Sequence, residues 1–209
     1  MGGAYSKPAE VQSKHFPAFF DALPSMTGKV VCITGCTSGT GLIAAKAIAQ
    51  KGGEVVMLNR PSERATKAEA AVKEAAPGAK VSTVACDLQS LDSVRSCAEE
   101  LKHKYGNGID VLCCNAGVMA MADEATKDGY DVQMQTNHLS HFLLTKDLWP
   151  LLEKASEQNG EARVVQHSSE ARRMPGTPLK AEYFGKNGGN LGGNSSSILG
   201  GARWERYHQ

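Results

Sequence analysis

Glycines at positions 35, 39 and 41 stand between a short β-branched run, Val30-Val31-Cys32-Ile33, and an alanine-rich stretch of helical spacing that begins near Thr40. The pattern predicts a strand, a tight loop and a helix. Glycine lets the backbone turn sharply and bring its N–H groups up to a ligand, where a β-carbon would obstruct. The positive end of the helix dipole then faces whatever lies over the loop, and a diphosphate suits that place. Asn59 follows Gly41 by eighteen positions, and Arg60 comes next. In a dinucleotide fold an acid near this point accepts from a ribose 2′-OH. There is no acid here, and a guanidinium fork can pair with a 2′-phosphate. The residues therefore point to NADP(H) ahead of NAD(H), with a solvated loop arginine as the plain alternative. A glycine loop alone also marks ordinary turns, so the rest of the chain has to carry the reading.

The elements that must position these residues alternate strand and helix. After the first helix, expected over 40–51 and stopped by Gly52-Gly53, apolar runs at 54–58, 80–86, 109–114 and 163–167 read as strands. Residues 62–76 read as a helix closed by Pro77-Gly78. Leu91, Val94, Ala98, Leu101 and Tyr105 form an apolar helical stripe with Ser90 as its cap. Further on, Leu139, Phe142 and Leu143 are expected to make a helical face. His138 and His141 are three apart, but no third ligand lies near, so no metal site is expected.

Composition narrows the classes. A chain of 209 residues suits one domain with a real core. With 23 basic and 22 acidic residues, nothing argues for a nucleic-acid partner. Six cysteines, at 32, 36, 86, 97, 113 and 114, form no CxxC pair and no disulfide framework, so reduced thiols in a cytoplasmic compartment are expected. No apolar run reaches the roughly eighteen residues of a membrane span. Residues 1–28 form a polar, irregular arm. Its start, MGGAYSK, fits the N-myristoylation pattern with Gly2 as acceptor and Ser6 at the discriminating position. One acyl chain gives only marginal, reversible membrane attachment. A disordered start, or a short ordered arm over HFPAFFDALP, is the alternative.

Five matches in order resemble the short-chain dehydrogenases/reductases. They are Thr34-Gly35 opening a TGxxxGxG loop, Asp87-Leu88 after the third strand, Asn115-Ala116-Gly117 after the fourth, Ser168-Ser169 after the fifth, and Tyr207. The stretch TNHLSHFLLT at 136–145 is similar to the TNHLGHFLLT helix of the retinol-dehydrogenase-like branch. The resemblance implies a Rossmann-type doubly wound α/β domain over 29–209, strand order 3-2-1-4-5. It implies cofactor contacts at Gly35, Thr37, Ser38, Gly39, Thr40, Gly41, Asn59, Arg60, Asp87, Leu88, Asn115, Ala116 and Gly117. Catalytic roles fall to Asn137, Ser169 and Tyr207: a water-holding bend, a hydrogen bond to the substrate oxygen, and the acid/base. The substrate would be a small hydrophobic carbonyl or alcohol, as in relatives acting on retinoids, steroids or protochlorophyllide, and relatives dimerise through the helices carrying Asn137 and Tyr207. The family's Tyr-x-x-x-Lys motif would put its lysine at position 211, whereas the sequence ends at Gln209. That ending is read as a truncation that also removes the family's last two strands. A glycine, asparagine and serine-rich insert at about 174–201 is expected to be a mobile surface loop able to act as a lid. An inactive nucleotide-binding sensor or partner platform is the rival reading.

Overall fold

Parallel pairing needs strands buried on both faces, and the chain supplies runs rich in valine and isoleucine that alternate with amphipathic helices. The computed structural model describes residues 13–173 and 180–192, together with Trp204, Arg206 and Tyr207. Strands β1 (Val30–Thr34), β2 (Glu54–Asn59), β3 (Val81–Ala85), β4 (Val111–Cys114) and β5 (Arg163–Gln166) form one parallel sheet in the order β3-β2-β1-β4-β5. This is the doubly wound order that the motifs imply. β3, β4 and β5 are one or two residues shorter at an end than the apolar runs suggest, while β1 and β2 run one residue further.

Alternation along β1 divides the core. Val31 and Ile33 face α2 (Gly39–Gln50) and α3 (Glu63–Ala75), while Cys32 faces α4 (Leu91–Lys104) and the long α6 (Ser140–Asn159). Each such fully buried branched side chain contributes about 1.5–3 kcal/mol. Ser62 and Ser90 start α3 and α4 by accepting from the N–H groups of Ala65 and Ser93. Order reverses between β1 and β4, which opens a crevice at the carboxyl ends of the strands.

Two elements depart from the sequence pattern. A π-helical turn, Gln135–Leu139, joins the short α5 (Val132–Met134) to α6. Its wider loop shifts the register of the following face. His141, Leu144, Leu148 and Leu152 are therefore the buried side of α6, and Phe142, expected to share a helical face with Leu139 and Leu143, is 65% exposed. The described part of the insert is packed rather than detached. Tyr183 is buried, Gly188 N–H donates to the Gly129 carbonyl at 3.1 Å, and Lys186 lies over the Tyr130 ring. A Cβ on Gly188 would meet the Asp131 nitrogen at 2.6 Å. The remainder of the insert lies outside the described residues, as does the Gly2 motif.

At the other end of the strands, α1 (Phe16–Ala22) is tied down by Lys51, whose ammonium sits 4.6 Å from the centre of the Phe20 ring. Among the described residues no helix is long and apolar enough to cross a membrane. The outer strand β5 is thinly covered: Val164 packs on the core, while Arg163, Val165 and Gln166 are exposed.

Asp110 fastens the amino ends of three strands. Its carboxylate accepts from Val30 N–H (2.8 Å), Lys29 Nζ (3.0 Å) and Asn159 Nδ2 (2.8 Å), and its own carbonyl accepts from Arg163 N–H. Replacing Asp110 by Ala leaves two of these donors short of partners away from bulk water. The expected loss is about 2–3 kcal/mol, read as a lower midpoint in urea with an unchanged slope.

Candidate active site

Where β1 ends, the sheet can no longer satisfy its neighbours, and a hydroxyl does so instead. Thr34 Oγ1, fully buried, accepts from the N–H groups of Asn115 (3.0 Å) and Ala116 (2.9 Å) and lies 2.9 Å from His141 Nε2. Asn115 returns the grip. Its Nδ2 donates to the carbonyls of Thr34 and Gly35, and its Oδ1 accepts from Thr40 Oγ1 and lies 3.1 Å from His167 Nδ1. The loop after β1 and the turn after β4 are thereby held face to face.

Glycine is required by this closeness. At Gly35, with φ +71°, a β-carbon would come within 2.8 Å of the Ala116 β-carbon. At Gly41 it would meet the Gly35 carbonyl at 2.4 Å and Asn115 Nδ2 at 2.5 Å. Gly39, with φ +57°, has open space above it.

That space belongs to a cleft of about 720 Å³ lined by Gly35, Thr37, Ser38, Gly39 and Thr40 at one wall, Asn59 and Arg60 at one end, and Asp87, Leu88, Asn115, Ala116 and Gly117 opposite. All the expected cofactor residues except Gly41 meet there. Gly41 is buried and serves to pack α2 against the loop. Asn59 is also more than a wall. Its Oδ1 accepts from Cys36 N–H at 2.8 Å and shapes the loop, while its buried Nδ2 has no hydrogen-bond partner. A loop with room for a ligand over Gly39 and an unanswered donor at Asn59 fit a nucleotide. Asp87 turns one oxygen onto Gln89 N–H. Arg64 was not singled out in the sequence. It lines the same end as Arg60, and its Nη2 donates to Ser38 Oγ at 3.3 Å. Its signal was available, one helical turn beyond Arg60.

The three expected catalytic residues do not line this cleft. Asn137, in the π turn, clasps Val118 through both backbone groups, accepting its N–H at 2.8 Å and donating to its carbonyl at 2.9 Å. Val118 and Thr136 do line the cleft. Ser169 is exposed beyond β5, its Oγ accepting from Ala171 N–H. Tyr207 is half-buried in a helical segment, its ring edge-to-face with Trp204.

The residue before it is anchored strongly. Arg206 is almost wholly buried. Its Nε lies 3.0 Å from Asp131 Oδ2, an ion contact without hydrogen-bond alignment, and its other nitrogens donate to the carbonyls of Gly192 and Met121. Asp131 Oδ1 meanwhile caps α5 through Gln133 and Met134 N–H. Burial raises the Asp131 carboxyl above its ordinary range, against the pull of those amides and of Arg206. One buried pair thus joins the segment of Tyr207 to the start of the helix bearing Asn137. Neither member stood out in the sequence.

The thiols near the cleft are quiet. Burial pushes Cys36 up to about 12 and Cys114 up to about 11, and it also raises Cys113, so none is a ready thiolate. Cys36 Sγ donates to the Ile33 carbonyl. All six cysteines are free, as their spacing suggests. Among the described residues no cluster of metal-binding side chains is present.

The profile of the short chain dehydrogenase family matches residues 29–183. An oxidoreductase of uncharacterised function from Schizosaccharomyces pombe is 36% identical over 167 residues, covering 79% of this chain and 48% of the relative. The human WW domain-containing oxidoreductase is 40% identical over 148 residues, 71% of this chain and 34% of the relative. This chain therefore spans about half or less of these curated relatives. An uncharacterised protein from Mycobacterium paratuberculosis, solved by crystallography, superposes with a TM-score of 0.68 at 32% identity, covering 91% of this chain and 60% of its own.

Burial holds the His141 imidazole below its usual value of 6.5, so the folded chain refuses a proton that the unfolded chain accepts. Stability therefore falls as pH drops through about 6.5, by up to about 1.4 kcal/mol per pH unit from this group. Urea midpoints measured from pH 7.5 to 5.5 should show this slope in the wild type. In His141→Gln that part of the slope should vanish.

Proposed function

The chain belongs to the short-chain dehydrogenase family, and from that premise we propose that it is an NADP(H)-dependent oxidoreductase interconverting a carbonyl and an alcohol on a hydrophobic substrate. The observation that carries the reading is the cleft itself. It gathers the glycine loop, the unpaired Asn59 Nδ2, Arg60 and Arg64, and the Asn115–Gly117 turn, with Asp87 the only lining carboxylate among the described residues. Thr37, Ser38 and Thr40, with the loop N–H groups, would hold the diphosphate, and the two guanidiniums would take the 2′-phosphate. Asp87 and Leu88 border the adenine.

The cofactor held in this cleft would supply hydride chemistry, a hydride passing between its nicotinamide and the carbonyl or alcohol carbon of the substrate. The family resemblance gives the acid/base role to Tyr207, although it does not line the cleft here: in reduction it would give its phenolic proton to the carbonyl oxygen as the C–O double bond becomes single, and in oxidation it would take that proton back. Ser169 Oγ–H donates a hydrogen bond to the same oxygen and stabilises the charge that develops there. Asn137 supports the water that returns the proton to the phenol. Small residues at Ala116 and Gly117 would leave room for the nicotinamide ribose against the backbone. Met119, 56% exposed, follows them, and Ala120 is held at φ +53°, an unusual conformation for a residue with a side chain. This apolar stretch suits a lipid-like alcohol or ketone such as a retinoid or steroid. A dimer would pair on α6, where Phe142 and Trp149 are exposed, and acylation at Gly2 would add a weak membrane contact.

Fluorescence titration tests the cofactor. Arg60→Ala should raise the NADPH Kd about tenfold and leave that for NADH unchanged. Equal loss for both nucleotides would remove the preference. A panel of lipid aldehydes and ketones tests turnover: NADPH consumption abolished in Tyr207→Phe supports the enzyme, whereas binding without consumption makes the protein a nucleotide-binding platform.

A further inference from the structure

We infer that His141 is a positioning residue, a neutral imidazole bridge that couples the glycine loop to the turn carrying Asn137. The inference rests on the reading of the cleft as a nucleotide site. Its geometry begins at Thr34. A hydroxyl has two lone pairs and one proton. Both lone pairs are engaged by Asn115 and Ala116 N–H, so the proton must go to an acceptor. Two are in reach, His141 Nε2 at 2.9 Å and the Cys113 carbonyl at 3.5 Å, and the shorter contact decides it. Nε2 is therefore unprotonated. Nδ1 lies 2.9 Å from the Asn137 carbonyl, which only accepts, so Nδ1 carries the ring hydrogen. His141 is 3% exposed and lies on the buried side of α6. Burial disfavours a second proton, which would also point from Nε2 at a hydroxyl that is already donating.

The result is an unbroken polar chain, from Asn115 and Ala116 N–H through the Thr34 hydroxyl and the His141 ring to the Asn137 carbonyl. At one end Asn115 fixes the Thr34 and Gly35 carbonyls and Thr40, beneath the expected diphosphate. At the other, the Asn137 side chain fixes Val118 at the edge of the same cleft. An aliphatic residue at 141 would fill the core equally well but break this line in the middle. A nucleotide that draws the loop together thus acts on the Asn137 turn through one imidazole, and the ring sets the direction of a carbonyl in the catalytic bend.

Histidine ¹⁵N NMR of the full chain, assigned by the peak lost in His141→Gln, tests the bridge. The expected spectrum shows a protonated Nδ1 and an unprotonated Nε2. The opposite tautomer overturns the inference. Added NADPH should shift both ring nitrogens with the same saturation as a separate fluorescence titration, and should also shift the Asn137 side-chain amide. In His141→Leu the NADPH Kd should rise about tenfold and the Asn137 response should disappear. His141→Gln, which can still accept and donate once each, should restore part of both. An Asn137 response that persists in His141→Leu overturns the coupling. Absence of nucleotide binding in the wild type would instead sink the cofactor reading. The bridge is then judged from Thr34→Val, which should shift the Asn137 amide in the wild-type background but not in His141→Leu. Equal shifts in both backgrounds overturn it.

Discussion

The fold's working end depends on one hydroxyl. Parallel strands finish with N–H groups that have no further strand to bond, and at the reversal of strand order two of them, on Asn115 and Ala116, point into a space closed to water. Thr34 answers both. A buried N–H without a partner costs about 1–3 kcal/mol, so a valine of the same shape would put a large part of the domain's margin at risk in one place. The benefit is positional as well as energetic. With both amides satisfied, the turn after β4 lies against the loop after β1, and glycine becomes obligatory at positions 35 and 41.

Around that clasp the polar groups divide into those that face the cleft and those that hold them in place. Ser38, Thr40, Arg60 and Arg64 border open space, whereas Asn59 and Asn115 give their side-chain oxygens to the loop and helix they adjoin. The same division holds on the opposite side, where the Asp131–Arg206 pair and the double clasp of Asn137 on Val118 leave little freedom to the segments they join. A buried ion pair is weak evidence for net stability because of its desolvation cost. Its effect here is geometric, since it ties Tyr207's neighbour to the cap of the helix that leads into the π turn.

The sheet order was implied by the family resemblance, whereas the strands, the helix starts at Ser62 and Ser90 and the glycine loop were legible in the sequence because each is a local event. They follow from a period of two or 3.6, a hydroxyl before an amphipathic run, or a β-carbon that cannot be accommodated. What stayed hidden was made by contacts between distant segments. The π turn is held by Ser140 Oγ and Gln135 Nε2 reaching the Leu88 carbonyl, with Gln135 also reaching Asp128. Without that turn, the sequence groups Phe142 with Leu139 and Leu143 on one helical face and leaves His141 as half of an idle metal pair. Arg206 reads as one of many surface cations until Asp131 is seen beside it. Gly41 shows the limit of motif reading: its place in the pattern was legible, but whether it touches a ligand or packs a helix was not.

β5 sets the sheet apart from its opposite border. β3 has α3 and α4 against it, whereas three of the four β5 side chains meet solvent. The backbone along that rim is a ready template for any extended segment, its own or another molecule's.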